Sequence, residues 1–252
     1  MKKFLFQIIL MSICTVAIAE TINLHWLNDN GATYTESTCT VNDDLIIPTT
    51  PPTKYGYTFT GWEILPFVQI EYLESTGTQY IDTGFKISSN NVNIKTIFMP
   101  LRVGAIGNRL SGSYNGNLRG FSFYIWNNLT IGCGAKDIST NVPMYVNTVY
   151  TLDLQAKDGV LTGTVNGVNV EDLYTNTIVN NLNLYLFKPN ESGSYNFHGR
   201  IYKYQLYDND VLVRDFIPAL DSNNVPCMYD KVEGKFYYNA GTGQFIAGPV
   251  LQ

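Results

Sequence analysis

The stretch "YTLDLQAKDGVLTGTVNGVNV", residues 150–170, decides the fold. Apolar and polar side chains alternate along it with the period of two that is typical of strands with one buried face. Asp158-Gly159 and Asn166-Gly167 interrupt the alternation, and both dipeptides favour tight hairpin turns. The stretch therefore predicts three antiparallel strands that follow one another as a meander.

The same pattern continues from residue 67 to the end of the sequence. Short alternating segments are separated by turn formers, and none shows a sustained period of 3.6 residues. In residues 199–220, "GRIYKYQLYDNDVLVRDFIPAL", we expect Tyr202, Tyr204 and Leu206 on one face of a strand. The other face is also partly apolar, as in a strand covered on both sides. We predict an all-β fold with an antiparallel jelly-roll sandwich.

A hairpin is predicted at the start of this region. Val68, Ile70 and Tyr72 alternate as a strand, and Ser75-Thr76-Gly77 supplies turn chemistry. The chain would then return from Tyr80 as the second strand of the hairpin.

The first twenty residues, "MKKFLFQIILMSICTVAIAE", predict a secretory signal peptide. Lys2 and Lys3 precede an apolar run, and Ala17 and Ala19 are the small residues that such a cleavage site requires. Residues 1–19 would be removed ahead of Glu20. A membrane anchor is the alternative, but the apolar run is short for a span.

Charge and hydropathy of the remaining chain exclude two classes of partner. Cleavage leaves 14 basic residues against 21 acidic ones, a net charge of −7. Nucleic-acid binding needs a positive footprint, so no nucleic-acid partner is expected. No second long apolar run follows, so no membrane span is expected after cleavage. We expect a secreted or cell-surface protein, with the periplasm as the alternative location.

Residues 20–65 form a separate predicted unit. Ile22, Leu24 and Trp26 alternate as a strand, and "KYGYTFTGWEI" at residues 54–64 closes the unit after a proline-rich stretch at 48–53. These residues resemble the Listeria–Bacteroides repeat, also called the internalin B-repeat. The resemblance implies a small β-grasp-like module that serves secreted bacterial proteins as a spacer or contact unit.

A second resemblance covers residues 67–252. "EYLESTGTQYIDTGF" at 71–85, "TVNG" at 164–167 and the tail at 199–249 are similar to concanavalin-A-like or laminin-G-like domains of bacterial and phage type. The resemblance implies a jelly-roll sandwich that binds carbohydrate or protein ligands. Fold alone does not decide function, so the residues of a site must be argued separately.

Sugar binding needs exposed aromatic rings beside amide side chains, because a pyranose has an apolar C–H face and a rim of hydroxyl groups. "FSFYIWNN" at residues 121–128 offers both, if its phenylalanines lie in the core and its other aromatic residues point outward. Packing of all the rings on both faces is the alternative. The loop "NESGSYNFHG" at 190–199 adds one more tyrosine. The candidate ligand-binding residues are Tyr124, Trp126, Asn127, Asn128 and Tyr195.

Calcium is the one cofactor for which the sequence offers candidates. The laminin-G-like resemblance implies a calcium ion at the rim of the sandwich, and Asp208, Asp210 and Asp221 supply oxygen ligands in turn segments. The alternative is that these residues serve the turns alone.

Cys133 and Cys227 are the candidate disulfide, as the pair that lies within one predicted module of an exported chain. The alternative is that they are small buried residues.

No catalytic arrangement is predicted. Glycoside hydrolysis needs two carboxylates facing one bond, whereas Glu71 and Glu74 would point to opposite faces of a strand. No Gly-x-Ser-x-Gly motif is present. We expect a non-catalytic binding or adhesion protein that recognises a glycan or a cell-surface protein. The alternatives are a structural envelope or filament component, and a glycoside hydrolase whose carboxylates come from distant strands.

Overall fold

The structure is a computed structural model. It describes residues 2–11, 21–27, 33–40, 48–51, 53, 55, 57–65, 67–104, 108–115, 118–175, 177–190 and 195–251. Among these residues there is no helix with the length and apolar character needed to cross a membrane. The chain divides into two compact units, Met1–Ile70 with Leu220–Val225 and Pro249–Gln252, and Glu71–Ala219 with Pro226–Gly248. The boundaries predicted at 19–20 and 65–67 stay predictions.

The first unit contains a four-stranded sheet. Its strands, with one short strand after them, are β1 (Lys2–Met11), β2 (Thr21–Leu27), β3 (Thr33–Thr40), β4 (Tyr57–Leu65) and β5 (Val68–Gln69). The order in the sheet is β3-β2-β1-β4, and β1 runs antiparallel to β2 and parallel to β4. The cleavage site predicted ahead of Glu20 lies outside the described residues. The β-grasp-like form predicted for this unit stays a prediction.

The second unit is built from short strands joined by turns. They are β6 (Leu73–Thr76), β7 (Ile81–Lys86), β8 (Asn91–Pro100), β9 (Arg109–Asn115), β10 (Leu118–Ile125), β11 (Asn128–Gly134), β12 (Lys136–Pro143), β13 (Tyr150–Lys157), β14 (Val160–Val165), β15 (Val168–Leu173), β16 (Asn183–Leu186), β17 (His198–Asp208), β18 (Val211–Leu220), β19 (Pro226–Asp230), β20 (Lys235–Tyr237) and β21 (Ile246–Ala247).

These strands form two antiparallel sheets. The smaller sheet has the order β12-β11-β10-β9-β16-β7, and the larger has the order β15-β14-β13-β8-β17-β18-β19-β20. Strand β6 joins the larger sheet beside β17, and β21 pairs with β6. The chain passes from one sheet to the other between β6 and β7, β7 and β8, β8 and β9, β12 and β13, β15 and β16, and β16 and β17. The predicted all-β fold class, an antiparallel sandwich, is therefore confirmed.

The predicted meander is also confirmed. Strand β14 pairs antiparallel with β13 on one side and with β15 on the other. Asp158 and Asn166 both have φ of 48°, and the glycines that follow them have φ of 87° and 77°. Two successive residues with positive φ define the turn whose twist matches a two-residue hairpin, which explains why Asp-Gly and Asn-Gly occupy these positions.

The core lies between the two sheets and is rich in aromatic rings. The largest fully buried side chains include Tyr204, Phe98, Phe121, Phe123, Phe187, Phe197 and Phe216. Tyr204 is on β17 of the larger sheet, and its hydroxyl lies 3.0 Å from the hydroxyl of Ser111 on β9 of the smaller sheet. This hydrogen bond satisfies two polar atoms that the core would otherwise leave unpaired.

Tyr202 and Tyr204 do not share a face, so the prediction for this strand is wrong at one residue. Tyr204 is buried, whereas Tyr202 is half-buried and packs edge-on against Tyr72, with ring centroids 5.6 Å apart. The pairing of β17 with β8 shifts between Ile201 and Lys203, which makes Tyr202 an extra residue. Such a bulge reverses the phase of the alternation from that point onward.

The hairpin predicted at residues 68–85 is an arch between the sheets. Strand β6 pairs with β17 in the larger sheet, whereas β7 pairs with β16 in the smaller one. The Gln79 side chain fills the bend: its Oε1 accepts hydrogen bonds from the Thr76 amide (2.9 Å) and the Ser75 hydroxyl (3.0 Å). Because the Gln79 side chain satisfies these polar groups, the bend does not need hydrogen bonds between β6 and β7. The two strands can therefore pair in different sheets.

Candidate ligand-binding site

Two aromatic residues at the end of β10 carry the site. Tyr124 is only 3% exposed, and Trp126 in the turn between β10 and β11 is 39% exposed. Their rings are stacked, with centroids 5.8 Å apart and planes inclined by 20°. The buried tyrosine therefore supports the indole from one side.

Arg109 joins this stack to Tyr195, because its guanidinium lies close to the rings of both tyrosines. Its guanidinium carbon lies 4.4 Å from the centroid of the Tyr124 ring and 4.1 Å from that of Tyr195. Both distances lie within the range of cation–π attraction. Tyr195, Arg109, Tyr124 and Trp126 thus form one continuous row, which we call the aromatic row.

The strand register explains how the aromatic row forms. Arg109 begins β9 and is paired with Tyr124 of β10, so the two side chains lie on the same face of the smaller sheet. An isolated parallel bridge joins Arg109 to Asn196, and this brings the preceding Tyr195 alongside. Asn108 adds support, because its carbonyl accepts the Ile125 amide (2.8 Å) and its Oδ1 accepts the His198 amide (3.0 Å).

Gly132 on the neighbouring β11 makes room for Tyr124. A β-carbon at this position would lie 2.6 Å from the Tyr124 hydroxyl and 3.0 Å from the Cδ of Arg119. No real β-carbon approaches another heavy atom so closely, so a larger residue would displace the tyrosine ring. The glycine therefore fixes the depth at which the aromatic row lies on the sheet.

An arginine–aspartate pair borders the row. Nε and Nη2 of Arg119 lie 2.5 and 2.8 Å from the two carboxylate oxygens of Asp137, a bidentate arrangement. Burial lowers the pKa of the Arg119 guanidinium, but the hydrogen bond and the charge of Asp137 outweigh it, and the net shift is upward. The pair occupies the Asp137 carboxylate and holds Arg119 permanently charged.

The structure brings the three predicted aromatic candidates together and places the two asparagines next to them. Asn127 is exposed in the turn, and its carbonyl accepts the amide of Met144 at 2.8 Å. Asn128 begins β11 opposite Pro143 of β12. Arg109 is the member that sequence reasoning missed. Its place in the row follows from the pairing of β9 with β10, which cannot be read from the sequence.

The calcium candidates on the β17–β18 turn serve hydrogen bonds that close this end of the sandwich. One oxygen of Asp208 accepts from the amide (2.8 Å) and the hydroxyl (2.7 Å) of Ser88, and the other accepts from the Ser89 hydroxyl. Asp210 accepts from the Asn91 amide group at 2.9 Å. These contacts join the β17–β18 turn to the segment that leads from β7 into β8, and the calcium site stays a prediction.

Asp221 has a similar role in the first unit. Its Oδ1 accepts from the amides of Asn223 (2.8 Å) and Val225 (2.9 Å), which closes a turn. Within the described ranges no three or more His, Cys, Asp or Glu side chains are grouped so that they could hold a metal ion.

The predicted disulfide is not formed. Cys133 lies on β11 of the smaller sheet and Cys227 on β19 of the larger one, and both are fully buried. Burial raises the pKa of the Cys133 thiol, which keeps it protonated. The Cys227 thiol donates to the Ala219 carbonyl at 3.5 Å. The two cysteines thus pack as small buried side chains in separate layers.

Comparisons with known proteins add little to this geometry. Neither a family model nor a curated protein matches the sequence. The solved structures that resemble it include the native heptameric SAP-like pentraxin from Limulus polyphemus, with 12% identity and a TM-score of 0.47. The match covers 74% of this chain and 96% of the pentraxin chain.

Proposed function

We propose that this chain is a secreted, non-catalytic binding protein that recognises a glycan by stacking a sugar ring on Trp126. The observation that carries the proposal is the placement of the indole. One side of Trp126 rests on the nearly buried Tyr124, while 39% of the residue remains exposed. A ring held in this way is a rigid apolar platform, and little entropy is lost when a ligand covers it.

The neighbouring side chains suit a sugar better than a purely apolar ligand. Asn127 and Asn128 follow the indole directly, and each amide side chain offers two donors and an acceptor for hydroxyl groups. Asp137, the carboxylate beside the row, is already engaged by Arg119. The site therefore supports recognition without hydrolysis.

Two further properties belong to the same proposal. The predicted signal peptide at residues 1–19 supports export, which would bring the platform into contact with extracellular or envelope glycans. Binding would not require calcium, because the oxygens of Asp208 accept hydrogen bonds from Ser88 and Ser89, and Oδ1 of Asp221 accepts two amides of its own turn.

The test is a glycan array followed by titration of the glycans that bind. We expect Trp126→Ala to weaken binding at least two- to tenfold, because aromatic stacking contributes about 0.5–1.5 kcal/mol beyond the area it buries. Trp126→Phe should retain most of the affinity. Tyr238→Ala removes an exposed ring from the end of β20 and should leave binding unchanged. A chelator should also have no effect.

Two results would contradict the proposal. One is a wild-type chain that binds no glycan on the array, including the case in which it captures a surface protein instead. The other is a Trp126→Ala variant that binds as tightly as the wild type. Thermal unfolding of each variant shows that a lost interaction does not reflect a lost fold.

A further inference from the structure

We infer that the binding site extends from Trp126 to Tyr145, so that it takes a chain of at least two sugar units. This inference rests on the proposed function and concerns the length of the ligand. Tyr145 lies in the loop between β12 and β13 and is 61% exposed. It is a second large aromatic side chain that the fold leaves in water.

Backbone contacts at the start of β11 and the end of β12 bring together the segments that carry the two aromatic residues. Asn128 pairs with Pro143, and the next backbone hydrogen bond joins the Met144 amide to the Asn127 carbonyl at 2.8 Å. Trp126 precedes Asn127 and Tyr145 follows Met144, so the two aromatic residues flank this hydrogen bond on neighbouring segments.

The loop that presents Tyr145 is held firmly. The hydroxyl of Tyr150 accepts the Tyr145 amide at 2.9 Å and donates to the Pro143 carbonyl at 3.1 Å. Tyr150 is itself buried and stacks on Phe98, with ring centroids 5.7 Å apart. The Asn147 amide donates to the carbonyl of Pro100 at 2.9 Å. The Tyr145 side chain is thus exposed on an ordered backbone, as a binding residue should be.

The chemistry of the loop favours a glycan chain over a second protein copy. Exposed Asn127 and Asn147 alternate with the two aromatic residues, so amide groups are available beside each ring. A single pyranose covers one aromatic ring, whereas two exposed rings on neighbouring segments match two consecutive units of a chain. Val146 and Val149 are also exposed, and they would form the core of a self-association surface if the occupant were another copy.

The experiment measures affinity against ligand length. Wild-type protein is titrated with β-1,4-linked glucose oligomers and β-1,4-linked N-acetylglucosamine oligomers of one to six units, since both sugars present flat C–H faces. Affinity should rise from the single sugar to the short oligomers. Tyr145→Ala should weaken oligomer binding about two- to tenfold and leave single-sugar binding unchanged. Tyr145→Phe keeps the ring and should match the wild type.

The outcomes separate this inference from the proposed function. If Trp126→Ala loses affinity while Tyr145→Ala matches the wild type at every length, the extension is wrong and the platform stands. Equal losses for single sugars and oligomers in Tyr145→Ala would also overturn the two-unit site. So would wild-type protein that binds neither series while it still binds another glycan on the array. A dimer in sedimentation that Tyr145→Ala dissociates would assign the surface to self-association instead.

Discussion

Asp230 is a carboxylate that the fold buries completely. Its Oδ1 accepts the amides of Asp215 (2.8 Å) and Val232 (3.1 Å), and Nε of Arg214 lies 3.5 Å from its Oδ2. Burial raises the pKa of this carboxyl, while the two amides and Arg214 oppose the shift without cancelling it. The side chain holds the turn after β19 through these hydrogen bonds, but burial makes its ionised form less favourable than it would be in water.

The raised pKa predicts a particular pH dependence. Because the folded pKa of Asp230 lies above the unfolded value near 3.8, the native state binds the proton more tightly. Its contribution to the unfolding free energy is therefore largest below that value and falls as the pH rises through the folded pKa. Asp230→Asn keeps an oxygen that accepts the two amides but cannot ionise. In this variant the decrease of the unfolding free energy with rising pH should therefore be absent. Urea unfolding at a series of pH values measures the unfolding free energy of the wild type and of the variant.

Asp210→Asn is the matched control, because the Asp210 carboxylate is largely exposed. Its pH profile should follow that of the wild type. If Asp230→Asn also followed the wild-type profile, the burial of the charge would have no energetic consequence and the interpretation would be wrong.

At the candidate site, sequence reasoning identified what composition and alternation can reveal. Tyr124 and Trp126 were predicted because they alternate with the phenylalanines along the sequence, and Tyr195 because it lies in a polar loop. Arg109 and Tyr145 were missed. Arg109 gains its role from the pairing of β9 with β10, and Tyr145 lies just beyond the end of the β11–β12 pairing. Strand pairing is a long-range property that the local sequence does not reveal.

At the scale of elements, the bend between β6 and β7 determines how the sandwich begins. Gln79 is buried there, and its Oε1 accepts from Ser75 and Thr76. Gln79→Ala removes the side-chain acceptor of the Thr76 amide and of the buried Ser75 hydroxyl, which keeps only the Gln79 carbonyl at 3.2 Å. Because each hydrogen bond contributes about 0.5–1.5 kcal/mol net, we expect a loss of about 1–3 kcal/mol in the unfolding free energy. Chemical denaturation measures the loss, and glycan binding should be retained.

Gln205→Ala provides the comparison, since Gln205 is a half-buried glutamine on β17, outside the bend. It should cost markedly less than Gln79→Ala. Equal costs for the two variants would show that the hydrogen bonds of the arch do not stabilise the fold.

The strands themselves were more predictable than their partners. Alternation and turn dipeptides identified β13, β14 and β15 together with their pairing, because Asp-Gly and Asn-Gly specify a hairpin locally. The segment from Val68 to Phe85 has equally good turn formers, yet its strands enter different sheets. A side chain that satisfies the bend decides between hairpin and arch, and the same turn residues are compatible with both. The bulge at Tyr202 is likewise set by β8 and not by local sequence.

For the whole molecule, the predicted leader and the first sheet are directly linked. Strand β1 lies within residues 1–19 and stands between β2 and β4. We expect the exported protein to begin at Glu20, as intact mass and N-terminal sequencing would show. Ala19→Arg should block cleavage, because the processing site requires a small residue. Exported protein that retains residues 1–19 would contradict the prediction.

Cleavage would also change the first sheet. Strands β2 and β4 run antiparallel to each other, because β1 is antiparallel to one and parallel to the other. They would lose the partner that now separates them. Direct antiparallel pairing of β2 with β4 would restore their backbone hydrogen bonds without reversing either strand.

The chain has three tryptophans, and the other two, Trp26 and Trp62, belong to the first unit. The indole of Trp126 is therefore the sole long-wavelength fluorophore of the sandwich. Stacked on a phenol and open to solvent on its other side, it is a natural optical reporter of whatever displaces that solvent. Emission from the isolated sandwich would register an arriving ligand directly, with no dye attached.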